Sequence, residues 1–112
     1  MKFLLFIGEA TDAEPYDRSL DNIEERVADL EKRGAAVIGD RLVHASETIV
    51  VKRRNGQTLV TDGPFVESKE WIAGFDVIDV ASREEAVEIA AAHPMSRFGV
   101  VVVRELWGDR PW

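Results

Sequence analysis

The 112-residue chain contains no cysteine and only two histidines. The absence of cysteine excludes disulfides, thiolate metal sites and a cysteine nucleophile, and it favours a reducing compartment, so we expect a cytoplasmic protein. The two histidines have neither a helical i, i+4 spacing nor cysteine partners, which are the usual signs of a metal site. The sequence therefore predicts no metal site and no cofactor.

Long apolar runs are also absent. The run at residues 3–7 is followed closely by Glu9, and no small-residue cleavage site comes after it. These features favour a buried strand over a signal peptide. No segment approaches the roughly 20 apolar residues that are needed to cross a bilayer. We therefore expect no membrane partner.

Positive charge is in the minority, with 14 Lys and Arg residues against 21 Asp and Glu residues and a net charge of −7. An acidic protein repels phosphate backbones, which argues against a nucleic-acid partner. The one basic cluster, residues 52–54, lies beside a turn and is interpreted as a solvated hairpin tip. With 46% hydrophobic and 31% charged residues, the composition is typical of a single globular domain over residues 1–112.

Residues 61–75 join a turn-forming loop to the most apolar strand pattern of the chain. Gly63 accepts a positive φ, the proline after it has a fixed φ, and Asp62 carries a short carboxylate that bonds nearby backbone N–H groups. In residues 71–80, both sets of alternate positions are mainly apolar, and Asp76 is the one charge inside the pattern. A strand that is apolar on both faces is expected to be covered on both faces.

Two segments have the 3.6-residue period of helices. Residues 18–33 place an apolar stripe on one face, and Gly34 is positioned to end the helix. The stripe consists of Leu20, Ile23, Val27 and Leu30. Ser82 and Glu85 form a capping box at the start of a second helix, in which Ser82 bonds forward and Glu85 bonds back. Pro94 is expected to end that helix.

Strand patterns surround these helices. They occur at residues 3–7, 35–42, 48–54, 57–61, 71–80 and 99–106. Asn55-Gly56 predicts a hairpin turn, because both residues accept positive φ, and Gly39-Asp40 is a candidate bulge. The order βαβ, hairpin, βαβ predicts an α+β, ferredoxin-like domain with an antiparallel sheet and both helices on one face. The other sheet face is then apolar and bare, so we expect a homodimer formed through it.

The loop and the strand after it contain a run of residues in a recognisable order. The run consists of Asp62, Gly63, Pro64, Phe65, Glu67, Lys69, Glu70, Gly74 and Phe75. It resembles the signature of the DGPF subgroup of YCII-related proteins, and the resemblance continues through His93-Pro94 and the last strand. The resemblance implies a domain that dimerises as a dimeric α/β barrel, and it implies no particular activity. Better-studied relatives carry a His–Asp pair with its histidine in the first helix, whereas residues 18–33 contain no histidine, so that pair is not carried over.

Candidate site residues surround the loop. Asp62 is the candidate for proton transfer or cation binding, and His44, at the end of a strand near the hairpin, is a candidate second titrating residue. The candidate ligand-binding residues are Phe65, Glu67, Lys69 and Trp71. A few polar groups against apolar walls are typical of small-molecule pockets. A turn-forming Asp62 and a surface or capping His44 are the alternatives.

Two further residues carry structural expectations. Asp76 needs a partner if it is buried, and the candidates are Lys69, Arg41 or an arginine of a second subunit. His93 lies in the last turn of a helix, where a protonated imidazole interacts favourably with the helix dipole, so we expect a structural role for it.

The sequence thus predicts a small cytoplasmic homodimer that binds or transforms a small molecule in a cleft near the loop. Two alternatives stay open. One is a non-catalytic interaction module that is accessory to a regulatory protein, and the other is a cofactor-free monooxygenase or isomerase of the dimeric α/β-barrel type. A polar, enclosed pocket favours a binding protein or an enzyme, whereas a solid interior favours the interaction module.

Overall fold

The computed structural model of the protein describes residues 1–62 and 71–111. The described elements follow one another in the order β1-α1-β2-β3-β4-β5-α2-α3-β6. The strands are β1 Lys2–Gly8, β2 Ala36–Arg41, β3 Ile49–Arg54, β4 Gln57–Asp62, β5 Ile72–Asp79 and β6 Val100–Glu105, and the helices are α1 Ile23–Lys32, α2 Arg83–Ala92 and α3 Met95–Phe98. None of the helices in the described ranges has the length and apolar character required to span a bilayer.

Four strands form one antiparallel sheet in the order β2-β5-β1-β6, and β3 pairs with β4 in a separate two-stranded sheet. The connection from β1 to β2 passes over β5, and the connection from β5 to β6 passes over β1. Two β-α-β units are therefore interleaved in one sheet. The predicted α+β class, with antiparallel sheets and few helices, is confirmed.

One face of the four-stranded sheet holds the hydrophobic core. Phe3 pairs directly with Ile78, and directly opposite residues of antiparallel strands share a face. Leu5 and Ile7 alternate onto that same face. The core consists of Phe3, Leu5, Ile7, Leu30, Ala35, Ile78, Val80, Ala86, Ile89 and Ala90. Because these residues include members of α1 and α2, both helices cover this face.

The opposite face is apolar and has no helix on it in the part of the chain that the structure describes. It presents Leu4, Phe6, Ile38, Phe75, Val77 and Val102. Ile38 is 62% exposed and Val102 is 40% exposed. The strand patterns predicted this difference between the faces.

The first helix is shorter than the predicted residues 18–33. Arg18–Leu20 is a 3-10 turn, and α1 begins only at Ile23. Two aspartates explain the break, since Asp17 Oδ1 accepts the N–H of Ser19 at 3.0 Å and Asp21 Oδ1 accepts the N–H of Ile23 at 3.1 Å. Such local side-chain bonds compete with a continuous helix. As a result, Leu20 of the predicted stripe lies outside α1.

The helix ends follow the predicted residues with one difference. Gly34 has a φ of 70° and follows the C-cap of α1, as glycine in a Schellman ending does. At the start of α2, the N–H of Glu85 donates to Ser82 Oγ at 3.1 Å. The Glu85 carboxylate, however, accepts the N–H of Ala81 at 2.9 Å instead of that of the cap residue. The cap therefore begins one residue earlier than the predicted box.

The predicted hairpin is present. Asn55 has a φ of 52° and Gly56 a φ of 77°, which are the positive values that a two-residue hairpin turn of the primed type requires. The register pairs Ile49 with Asp62 and Val51 with Val60. Asp62 is thus the last residue of the hairpin.

Candidate functional site

A carboxylate lies on the helix-covered face of the main sheet. Asp76 of β5 pairs with Leu5 of β1 on one side and with Gly39 of β2 on the other, so its side chain shares a face with buried Leu5. A Cβ atom at position 39 would lie 2.0 Å from Asp76 Oδ1. The register shift of β2 falls between Ala36 and Ile38, so the candidate bulge at Gly39 is wrong. Gly39 instead leaves the space that the carboxylate occupies.

Arg26 of α1 is the basic group of this region. Its side chain is buried, with 7% of the residue exposed. Nη2 donates to the carbonyl of Ile89 in α2 at 2.8 Å, whereas Nε has no hydrogen-bond partner among the residues that the structure describes. A buried donor without an acceptor costs on the order of 1–3 kcal/mol. Arg26 is therefore fixed to α2 by one bond, and its Nε is a buried donor that lacks a partner among the described residues.

Arg26 and Asp76 influence each other without forming an ion pair. Of the ion pairs between described residues, none joins these two side chains within 4.0 Å. Burial lowers the pKa of Arg26, and the Asp76 charge partly offsets that effect. Burial raises the pKa of Asp76, and the Arg26 charge opposes the rise. The formal charges of Arg26 and Asp76 sum to zero, but the charged groups are too far apart to form an ion pair.

Both side chains line a cleft between α1 and the β2–β5 edge of the sheet, with a volume of about 310 Å³. The third charged lining residue is Glu31. The apolar walls include Val27, Leu30, Val37, Ile38 and Ile78. An apolar cleft with a few polar groups is the usual composition of a small-molecule site.

His93 lies close to Arg26 at the end of α2. It is 6% exposed, and its Nδ1 accepts the N–H of Met95 at 3.0 Å. Burial, followed by the positive charge of Arg26, lowers the pKa of His93 to about 4. The expected protonated imidazole is therefore wrong, and the neutral ring caps α3 instead. Because α3 follows directly, Pro94 ends α2 but does not end the helical structure.

The residues that the sequence predicts around the loop do not line this cleft. His44 is exposed, and its Nδ1 accepts the N–H of Ser46 at 3.1 Å, which is the capping role named as its alternative. Asp62 is exposed at the end of β4. Trp71 is half-buried, with its ring edge-on to Phe6 at a centroid distance of 6.5 Å. Phe65, Glu67 and Lys69 lie outside the described residues. A site at this loop stays a prediction.

The sequence-based candidates for the partner of Asp76 do not include Arg26. Lys69 and Arg41 are the candidates within the chain, whereas Arg26 is the charge that acts on the Asp76 pKa. A signal for Arg26 is nevertheless present, because it lies three residues after Ile23 and four before Leu30. Residues with these spacings share one helix face. A charged residue within an apolar stripe indicates that the charge is buried with it.

The family of the chain follows from a comparison with protein-family models. The model described as the YCII-related domain matches residues 1–112. The chain belongs to the YCII-related family. Arg26, Asp76 and the cleft between them therefore lie within a YCII-related domain.

Two similar proteins give context for this YCII-related chain. An uncharacterized protein of Rhizobium meliloti (strain 1021) is 36% identical over 73 residues, which cover 65% of this chain and 56% of that protein. The chain thus spans about half the length of this curated relative. Among solved structures, the 5-chloro-2-hydroxyhydroquinone dehydrochlorinase TftG of Burkholderia phenoliruptrix, in complex with 2,5-dihydroxybenzoquinone, is similar with 17% identity, coverage of 95% and 93% of the two chains and a TM-score of 0.49.

Proposed function

We propose that this YCII-related protein binds a small molecule in the cleft between α1 and the β2–β5 edge. The observation that carries the proposal is the buried Arg26, whose Nε–H has no acceptor among the described residues. Buried polar groups in native proteins are nearly always hydrogen-bonded, so an incompletely bonded guanidinium in a side chain that lines the cleft favours a ligand there. Asp76 supplies a second polar group on the facing strand.

The cleft can be tested with two matched substitutions. Val27 of α1 lines the cleft and is 44% exposed, while Val87 of α2 is 52% exposed and lies outside the cleft lining. Val27→Trp should fill the cleft and abolish the binding of small one-ring fragments, as measured by shifts of backbone amide resonances. Val87→Trp should leave the binding unchanged. If fragments still shift the backbone amide resonances in Val27→Trp, the proposed location is contradicted.

We also propose that the protein is a homodimer of the dimeric α/β-barrel type and belongs to the DGPF subgroup. The apolar sheet face without described helices supports the dimer, since exposed patches of several hundred Å² are rare on soluble monomers. A stable interface should bury on the order of 1,200 Å² or more. Val102→Lys, on that face, should shift sedimentation toward the monomer, whereas Val43→Lys at a 72% exposed position should not. A wild-type monomer at micromolar concentration would contradict the dimer.

The loop site remains a second proposal for the same function. Asp62 and Trp71 flank the undescribed residues 63–70, and the expected ligand contacts Phe65, Glu67 and Lys69 lie within them. If the ligand binds there, Asp62→Asn should weaken it while Val27→Trp has no effect. His44→Gln tests the second titrating residue by the same measurement. The two proposed locations are thus separated by one set of variants.

The hairpin favours an interaction module as the second candidate function. Ile49, Val51 and Val60 share one face of the β3–β4 ribbon and are 64%, 63% and 63% exposed. A two-stranded ribbon alone is only marginally stable in water. Backbone amides of β3 and β4 that exchange rapidly in the purified homodimer would indicate a ribbon that requires another partner. Slow exchange would indicate that the homodimer already covers it.

A further inference from the structure

The charges in the α1 cleft specify the class of molecule that fits it. We infer that the cleft takes a neutral, one-ring molecule ending in a group with a hydrogen-bond acceptor beside a donor, as in a primary amide. The acceptor receives an N–H of the Arg26 guanidinium, and the donor meets the Asp76 carboxylate. This inference rests on the proposed function, because it concerns the ligand of the same cleft.

The ligand is expected to be neutral because of the charged side chains on either side of the space between Arg26 and Asp76. Arg26 and Asp76 have opposite formal charges, and His93 beside Arg26 is neutral because it is buried. A ligand carboxylate would place an additional negative charge near Asp76 and near Glu31 at the cleft wall. A ligand ammonium would place an additional positive charge near Arg26. A buried charge without compensation is strongly unfavourable, so a neutral polar group fits best.

The need for both an acceptor and a donor follows from the separation of the two side chains. Arg26 already uses Nη2 on the Ile89 carbonyl, and its Nε–H points to no acceptor within the described residues. Asp76 lies over Gly39, beyond ion-pair distance of Arg26. A group with adjacent acceptor and donor atoms can bond both side chains at once, whereas a ketone can bond only Arg26.

The size of the ligand follows from the cleft itself. Its volume of about 310 Å³ is at the lower end of the range of roughly 300–1,000 Å³ for small-molecule sites. Most of the residues that line this space are aliphatic residues of α1, β2 and β5. One ring with a short polar end therefore fills the space, and a larger molecule would extend into solvent.

Three one-ring probes separate these requirements. Benzamide is neutral with an acceptor and a donor, acetophenone is neutral with an acceptor alone, and benzoate is an anion with acceptors alone. Titrations followed by the Arg26 side-chain Nε–H resonance and by backbone amides of β2 and β5 give each affinity. We expect benzamide to bind about tenfold more tightly than either other probe, the effect of about one hydrogen bond to a charged group. Benzoate or acetophenone binding as tightly as benzamide would overturn the inference.

A single substitution should reverse the preference. Asp76→Asn removes the negative charge, so the cleft retains the positive Arg26 and benzoate should become the tighter probe. Asp79→Asn is the matched control, because Asp79 lies three residues further along β5 on the other face of the sheet. It should keep the wild-type order of affinities. An unchanged order in Asp76→Asn overturns the inference, and if that variant does not fold, the wild-type order decides alone.

The outcomes also separate the inference from the proposed function. If none of the three probes shifts resonances of cleft residues, both the inference and the proposed function fail. If probes bind in the cleft with benzoate preferred, the proposed function stands and the neutral ligand class is wrong.

Discussion

The two β-α-β halves of the sheet have the same connectivity but bury different chemistry. In the second half, α2 faces the sheet with Ala86, Ile89 and Ala90, which are 0%, 2% and 6% exposed. In the first half, the buried residues of α1 are Leu30 and the charged Arg26. The second half therefore completes the core, whereas the first half contributes less apolar burial and leaves a cleft beside the sheet.

The attachment of α1 to the rest of the fold shows the same difference. Leu30 is the buried apolar residue of α1. Two arginines also connect this helix to α2. Arg26 donates to the Ile89 carbonyl at 2.8 Å, and Arg33, the C-cap of α1, pairs with Glu85 at 3.0 Å. The second contact is partly exposed, and surface pairs of this kind contribute little to stability. A helix that is fastened by polar contacts leaves room for a ligand more readily than one that is packed by apolar side chains. We therefore place the proposed function at α1, where the first half meets β5.

The largest expected effect tests whether stability resides in the second half. Ile89→Ala should lower the free energy of unfolding by about 2–4 kcal/mol, because it removes a buried side chain from the core. Val87→Ala on the same helix, at a 52% exposed position, should cost less than about 1 kcal/mol. Urea unfolding at one fixed protein concentration measures both. A small effect at Ile89 would contradict the assignment of the core to α2.

The next effect tests whether the buried ring of His93, at the end of α2, is neutral in the folded protein. Its pKa is about 4 in the folded protein, below the ordinary value of 6.5. The unfolded chain therefore binds more protons between these values, and the contribution of His93 is complete above pH 6.5 and is lost as the pH falls toward 4. That contribution is at most on the order of 3–4 kcal/mol.

The measurement compares unfolding free energies at pH 7 and pH 4.5 in two variants. His93→Gln should be less stable than the wild type at pH 7, and the difference should shrink at pH 4.5. His44→Gln, at an exposed histidine, is the matched control for the substitution itself. Equal pH slopes for His93→Gln and the wild type would mean that folding leaves the pKa of His93 unchanged, which would contradict the lowered value.

The sequence predicts the second half better than the first for a physical reason. Valines at four successive positions of β6 and the cap at Ser82 act through local or purely apolar effects, and both appear in the structure. In the first half, the expected residues 18–33 helix is interrupted by bonds of Asp17 and Asp21. Short polar side chains can choose between capping and continuing a helix, and a periodic pattern does not show which they choose.

The candidate site was less predictable than the fold because it depends on a contact across the chain. Asp76 is identifiable as a charge within an apolar strand, and Arg26 as a charge within an apolar stripe. Their proximity requires α1 to lie over the β2–β5 edge, and the absence of a side chain at Gly39 gives the carboxylate its space. The loop residues are recognisable in the sequence by a family signature, whereas the Arg26–Asp76 arrangement arises only when the two halves pack together.

The smallest expected effect concerns the charge balance of the cleft, where Arg26 of the first half faces Asp76 of the second. Burial raises the pKa of Asp76 even though Arg26 opposes the rise. The folded protein therefore binds more protons at this group than the unfolded chain does, and its contribution to stability decreases as the pH rises above the unfolded value near 4. Asp76→Asn removes that cost, so it should raise the free energy of unfolding at pH 7 by up to about 1 kcal/mol. The gain over the wild type should disappear below about pH 4, where the carboxyl is protonated in both states.

Asp79→Asn serves as the control for this substitution, because Asp79 is exposed and pairs with the N-terminal ammonium at 3.3 Å. Its effect should be small, since an exposed pair is weak. Urea unfolding at pH 7 and pH 3.5 distinguishes the two positions. If Asp76→Asn is instead clearly less stable than the wild type at pH 7, then Asp76 is the countercharge that Arg26 needs in the folded state. The two groups would then form a closed pair, no polar position would be left for a ligand between them, and the difference between the halves would concern stability alone.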